Sequence, residues 1–335
     1  MPETPPKPAP PLEPGEALSR FAKWCAAKPA AAALLAGCTA TVVYFLGFLP
    51  AFVGGSRTAA RWASEAWNSD NNQEHSWFIL PIAVWLVWQH RDEIQRARKE
   101  PSNAGLAWVG AGVLTFIVAA RTLQPRIAIF ALPLLIYGGV RYLWGRETSR
   151  VFIFPCLFLL FMVPVGGFVQ GTVSLQLIVS SAVKALSSLI GVQVATEGTG
   201  IRALDGTFNF DIAEGCSGIR SLMAMITLSA LYVHFTQRET WKQWLIFGSS
   251  IVFALIGNVG RVFSVVVVAK FINEKLAGGL YHDYSGFVFF PVAVGAMVGF
   301  SKLLNMDWRK VAADAVKPEP PRPSKKSDGP VSYDY

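Results

Sequence analysis

Long apolar runs alternate along this chain with short polar segments, most of them basic. Runs of spanning or near-spanning length fall at about 31–53, 77–90, 105–120, 127–144, 151–168, 217–235, 243–268 and 285–304. A helix needs roughly 20 apolar residues to cross a bilayer core, or somewhat fewer when flanking polar side chains snorkel. The pattern predicts an all-α polytopic membrane protein with eight transmembrane helices, 77–90 and 105–120 being the shortest. One stretch, 169–216, breaks the pattern. Over 173–190, Ser174, Ser180, Ser181, Lys184, Ser187 and Ser188 recur at helical spacing against Val, Leu and Ile. That predicts an amphipathic helix, lying at the interface or lining a polar cavity. Asp205-Gly206 then separates two short extended runs, the second alternating as Thr207, Phe208, Asn209, Phe210. This is a hairpin signal, so a small helix-and-hairpin insertion precedes the sixth span.

Composition supports the class. With 52% hydrophobic and 16% charged residues, and a mean hydropathy of +0.38, the chain has too little polar surface for an ordinary soluble domain. A net charge of +8 on one soluble face would suggest a nucleic-acid partner. Here it is divided among the loops, so membrane lipids are the predicted partner and nucleic acid is not. Lys and Arg gather in the N-terminal arm (Arg20, Lys23, Lys28), in 91–100, in 141–150, at Arg238 and Lys242, and from Lys302 to Lys326. The alternate loops offset their basic residues: 54–76 carries Glu65, Asp70 and Glu74, and 195–215 carries Glu197, Asp205, Asp211 and Glu214. The positive-inside rule then places both termini in the cytoplasm, a parity that eight spans satisfy, and 169–216 on the extracytoplasmic side. The expected organisation is a disordered cytoplasmic arm (1–30), an integral membrane domain (31–304) and a disordered basic tail (305–335). No cleavable signal-peptide pattern opens the chain, so the first run reads as a retained span.

The chemistry gathers on one side. If the sixth span runs inward from Cys216, the seventh returns outward and the eighth enters again. Cys216, Arg261 and His282 then meet at the outer face. From Trp244 to Arg261 is about 25 Å of helix, which puts Arg261 near the outer interface. A membrane cysteine is usually a small buried hydrophobe. Cys216 differs because it lies between Gly215 and Ser217-Gly218 at a helix start, where free N–H groups and the dipole favour a thiolate or an oxyanion. Arg220 lies one turn on. An intramembrane arginine costs about 3 kcal/mol to insert, so Arg261 is a functional candidate unless it simply snorkels. Asn258, at i−3 on the same face, either supports it or serves as helix-packing glue. His282 beside a nucleophilic thiol is an acid/base candidate, with Asp283 adjacent to orient it. His75 is a further outer-face histidine, whereas His90 and His234 fall at the cytoplasmic side. No metal-ligand cluster, phosphate-binding loop or nucleotide fingerprint is present, so no metal or cofactor is predicted.

The segments EGCSGIRS (214–221) and GNVGR (257–261), with the late His282, resemble the Cys, Arg and His signatures of the exosortase/archaeosortase family of polytopic membrane proteins. HSWFILPIAVWLVWQHR (75–91) is similar to that family's early span, although Trp77 stands where a small residue is usual, and FPCLFLLFMVPV (154–165) is similar to its fifth. The resemblance covers about 75–300. It implies a thiol transpeptidase or protease of the bacterial inner membrane. The implied substrates are exported proteins ending in a sorting signal: a short motif such as Pro-Glu-Pro, a transmembrane helix and a basic cluster. By that resemblance Cys216 is the nucleophile, Arg261 the stabiliser of oxyanion or substrate, and His282 the acid/base of the bacterial branch. Asn258, Arg220, Ser217 and His75 would support them, and a polysaccharide or lipid could be the acceptor. The competing reading is a transporter or a non-catalytic component of polysaccharide export.

Overall fold

The computed structural model describes residues 29–52, 57–68, 73–164, 169–197, 200–211 and 218–307, with positions 19, 22, 23 and 25–27 of the N-terminal arm. Positions 308–335 of the expected tail (305–335), most of the arm, and Cys216 and Ser217 lie outside the described residues.

The first half of the chain is mostly helical in its described length, with one isolated β-bridge between Phe52 and Arg57. Helix α1 (Pro29–Val43) widens into a π-helical turn over Tyr44–Phe48 and ends before Pro50. Helix α2 (Ala59–Ala66) starts at Thr58, whose hydroxyl accepts from the backbone N–H of Arg61 at 3.2 Å, an ordinary N-cap. Then come α3 (Ser76–Gln89), the short α4 (Arg91–Arg96), α5 (Ala104–Arg121), α6 (Pro125–Val151) and α7 (Ile153–Phe158), which closes in a 3₁₀ turn over Leu159–Met162. Helix α3 shows why such elements belong in lipid. Its buried residues Ser76, Ile79, Ala83 and Leu86 recur at helical spacing, yet its outward face (Trp77, Phe78, Leu80, Val84, Trp85, Trp88) is also apolar.

Helices α5 and α6 form the closest pair. A Cβ on Gly112 would meet Leu135 Cγ at 2.8 Å, and one on Gly138 would meet the backbone nitrogen of Val109 at 2.7 Å. Between lipid-solvated helices such small residues let dispersion contacts form, in place of a hydrophobic drive. Gly145, at φ 85 and ψ −167, breaks α6 at the end of the expected span 127–144.

Among the described residues, five helices are long and apolar enough to cross a membrane: Ala104–Arg121, Pro125–Val151, Ile219–Thr236, Thr240–Phe271 and Tyr284–Leu304. The expected spans at 31–53, 77–90 and 151–168 correspond to shorter apolar helices, Thr39–Phe48, Ser76–Gln89 and Ile153–Met162. The first is interrupted by its π-helical turn. The second has 14 residues, about 21 Å of rise. The third begins only after α6 has run on to Val151 and the chain has turned at Phe152.

The second half opens with α8 (Val169–Leu189), then β1 (Val194–Glu197), β2 (Gly200–Ala203) and β3 (Asn209–Asp211). The three strands form an antiparallel sheet in sequence order. Asp205 shapes the β2–β3 turn: its Oδ1 accepts from the backbone N–H of Thr207 at 3.2 Å and from its hydroxyl at 2.7 Å, while Gly206 takes φ +74. Of the polar positions expected to make α8 amphipathic, Ser174, Ser181, Lys184 and Ser188 are exposed. Gln176, Ser180 and Ser187 are buried with Val179 and Val183, whereas Leu177, Ile178 and Leu189 are exposed. The polar positions are thus divided between the packed and the open side of the helix.

Helices α9 (Ile219–Thr236), α10 (Thr240–Phe271) and α11 (His282–Leu304) form a bundle around Met225, Val233, Ile246, Ala254, Ala293 and Met297. With 32 residues, α10 rises about 48 Å, well beyond a hydrocarbon core of ~30 Å. Its far end therefore projects past the bundle, and α8 and the sheet cover it. Val262, Val265, Val266 and Ala269 pack with Val179, Val183, Val194, Ile201 and Phe208. Each Ile or Phe fully buried in such a cluster contributes roughly 1.5–3 kcal/mol where the alternative is water. Two polar ties hold the cap in place, the ion pair of Asp205 with Lys270 and a bond from Asn209 N–H to Glu274 Oε1 at 3.3 Å.

Candidate active site

The chain enters α9 through Gly218, which takes φ +69 and ψ −4. A Cβ there would lie 2.5 Å from Asn258 Nδ2 and 2.7 Å from its Cγ. Gly218 is thus required twice, for the left-handed backbone and for the close approach of α10. Asn258 is buried on α10 and meets the start of α9 through this contact.

One turn on, Arg261 faces the start of α11. Its Nε donates to Ser285 Oγ at 3.0 Å and its Nη2 donates to the backbone oxygen of His282 at 3.1 Å. Ser285 Oγ in turn donates to the same oxygen at 2.9 Å. The guanidinium fork therefore grips two acceptors of fixed geometry, which an ammonium group could not match. The glycines of GNVGR let this happen. A Cβ on Gly257 would meet Ala293 Cβ at 2.9 Å, and one on Gly260 would meet Phe289 Cε1 at 3.1 Å, so both allow α10 to lie close against α11.

A third strand of contacts comes from the loop before α3. Glu74 Oε2 pairs with Arg220 Nε at 3.4 Å, joining this loop to the first turn of α9. The loop is braced from behind: Trp77 Nε1 donates to Trp67 O and Trp67 Nε1 donates to Met162 O, each at 2.9 Å, with the two indoles edge to face. Trp77, unusual for its position, is thus a structural brace. On either side of Glu74 sit polar groups that the described residues leave unsatisfied. Gln73 is fully buried; its Oε1 accepts from Ser76 Oγ at 2.9 Å, but its Nε2 has no partner there. His75 Nε2 is buried and also lacks one. Leaving such a group unmatched costs about 1–3 kcal/mol. Burial pushes the His75 pKa below its ordinary 6.5, with Glu74 pulling the other way, so the ring is neutral at pH 7.

The structure brings Arg261 onto the backbone oxygen of His282 and Asn258, one turn earlier, onto Gly218, and it joins the loop of His75 to Arg220 through Glu74. Cys216 and Ser217 precede Gly218 but lie outside the described residues, as does the side chain of Asp283. His90 and His234 are at the opposite ends of α3 and α9, with ring centroids 6.2 Å apart and His234 stacked on Phe154 at 3.7 Å. Among the described residues no group of three His, Cys, Asp or Glu is placed to hold a metal ion. Two members of the cluster escaped the sequence reading. Ser285 was signalled only by its i+3 spacing from His282, and Gln73 only by lying two residues before His75.

The comparisons bear on this geometry. No curated protein and no solved structure matches the chain. A family model described as transmembrane exosortase matches residues 67–299, more than two thirds of the sequence, and takes in every residue of the cluster just described. The chain belongs to the transmembrane exosortase family.

Proposed function

We propose that this protein is a membrane-embedded cysteine transpeptidase or protease that cleaves C-terminal sorting signals of exported proteins at the extracytoplasmic face. Family membership implies a transpeptidase role in general terms. The observation that carries the finer reading is the joint placement of Gly218 on Asn258 and of Arg261 on His282, because Cys216 is only two residues along the chain from Gly218. The start of α9 thus meets Asn258, and the start of α11 meets Arg261 one turn further along the same helix.

The proposed substrate presents its motif at the outer end of the bundle, its transmembrane helix in lipid and its basic cluster in the cytoplasm. His282 takes the thiol proton and the Cys216 sulfur attacks the scissile carbonyl carbon. The oxyanion is stabilised by Arg261 and by N–H groups at the start of α9. The C–N bond then breaks as His282 protonates the leaving amine, giving a thioacyl-enzyme. An acceptor amine, a hydroxyl on a polysaccharide or lipid, or water attacks the thioester, gives its proton to His282 and releases the thiol. In this reading eight apolar segments cross a bacterial inner membrane with both termini cytoplasmic. The length of α10 supports an outer site: Arg261 stands about 25 Å from Trp244, below the sheet that caps the same helix.

The test is processing of a membrane substrate carrying such a signal by Cys216→Ala beside the parent protein. The variant is expected to leave the substrate intact; undiminished processing sinks the assignment.

A further inference from the structure

The end of α3 remote from the candidate active site carries a groove that the chemistry at Cys216 does not use. It lies between α3 and α7, has a volume of about 450 Å³, and is walled by Leu80, Val84 and Val87 on one side and by Pro155 and Leu159 on the other. Leu80 and Val84 are exposed, so the groove is open along the side of the helices, where lipid lies. Its mouth is built differently. Arg91 and Gln95, just beyond the end of α3, line it there. From Leu80 to Arg91 the chain rises about 16 Å, roughly half of a ~30 Å hydrocarbon core. The groove thus has the length of one leaflet, with apolar walls and a cation at its interfacial end.

The charge of Arg91 is only weakly neutralised within the fold. Its Nη1 donates to Trp88 O at 3.2 Å, and its guanidinium lies over the Trp88 indole, 5.3 Å from the ring centroid. The Asp92 carboxylate stands 4.0 Å from Nε, at the outer limit of an ion pair, and is 46% exposed. Such a pair contributes ~0–1 kcal/mol. The Arg91 side chain is itself 20% exposed, so a ligand can reach it.

We propose that this groove is a phospholipid site, with one acyl chain between α3 and α7 and the phosphodiester held by Arg91 beside Gln95. A guanidinium fork matches phosphate oxygens, and basic pockets between membrane helices suit anionic headgroups. The Trp88 ring lies at headgroup level, where an amphipathic indole is favoured. Charge also tells against the proposed substrate's own helix as the occupant. Its basic cluster would lie on this same side and meet Arg91, whereas a phosphate is attracted.

The experiment uses the full chain in detergent and phosphatidylglycerol carrying a diazirine midway along one acyl chain. After illumination and proteolysis, label on the peptides containing Leu80–Val87 and Pro155–Leu159 reports occupancy. At subsaturating lipid, Arg91→Gln is expected to lower this labelling about tenfold, and Arg91→Lys by less. The matching diazirine diacylglycerol, which lacks the phosphate, should label the parent protein as weakly as the phospholipid labels Arg91→Gln. Soluble glycerophosphoglycerol at the same concentration should not compete, because it has no chain to fill the groove. Equal labelling of the parent by diacylglycerol and phospholipid would overturn the site, since the groove would then accept any apolar chain. Undiminished labelling of Arg91→Gln, label confined to other helices, or displacement by the soluble headgroup would overturn it as well. The diacylglycerol comparison needs no variant, so it decides the matter even if Arg91→Gln folds poorly.

Discussion

The two ends of the α9–α10–α11 bundle are both polar, and they are built differently. Where α9 ends and α10 begins, Gln237 donates to Ser301 Oγ at 3.1 Å and to Thr236 Oγ1 at 3.3 Å. Its Oε1 accepts from Asn305 Nδ2 at 3.1 Å, and its backbone oxygen accepts from Gln243 Nε2 at 2.8 Å. This network is uncharged and spends its hydrogen bonds on tying the three helices together. At the other end an arginine is committed to a backbone carbonyl and a hydroxyl, a glycine is held in a left-handed conformation, and the adjoining loop keeps two unmatched nitrogens. A closed, uncharged network fixes helices; a guanidinium fork and a left-handed glycine fix the geometry of a charged site.

Substitutions at the two ends should separate these roles. The largest effect is expected from Arg261→Lys. A lysine cannot bridge Ser285 Oγ and His282 O as the fork does, so substrate processing should fall about a hundredfold or more while the thermal midpoint changes little. Near-parental rates would show that charge alone suffices. Gly218→Ala comes next, because a side chain must adopt φ +69 and collide with Asn258. Strain of about 1–3 kcal/mol at this joint should lower processing tenfold or more and the midpoint by a few degrees. Gln237→Leu should invert the pattern. Leaving Ser301 and Asn305 short of partners costs about 1–3 kcal/mol of stability, measurable by thermal unfolding in detergent, with processing per folded molecule unchanged.

The smallest effect concerns the cap. Hydrogen bonds from Lys270 and then Thr207 hold the Asp205 carboxyl well below its usual 3.8, at about 2. A depressed folded-state pKa means that the contribution of this group is complete above pH 3.8 and is lost as pH falls towards 2. Hydrogen exchange of the β2–β3 amides should therefore quicken only in that acid window. Asp205→Asn should remove the dependence.

Much of the fold could be read from the chain because lipid imposes a simple rule: apolar runs of sufficient length become helices. The rule failed where length was marginal. The run 31–53 reads as continuous, yet the helix widens to a π-turn at Tyr44 and stops before Pro50. In α8 the polar positions do not share one face: Ser180 and Ser187 point inward, while Ser174, Ser181, Lys184 and Ser188 are exposed. The cluster was legible as far as topology dictated it. Arg261 and His282 had to share an end if successive helices reverse direction. Asn258 was ambiguous between glue and catalysis, and its contact with Gly218 shows that it at least joins two helices. Ser285 and Gln73 carried no signal of their own, since a serine or glutamine is informative only once its neighbours in space are known.

The most direct test of the outer-end assignment is the mass of the protein itself during turnover. The full chain, incubated with a membrane substrate bearing a C-terminal sorting signal and quenched in acid, should gain the mass of the substrate's N-terminal fragment. After proteolysis that mass should map to the peptide containing Cys216 and be released by hydroxylamine, as a thioester is. Cleaved substrate with no adduct on Cys216, and equal cleavage by Cys216→Ala, would contradict the account.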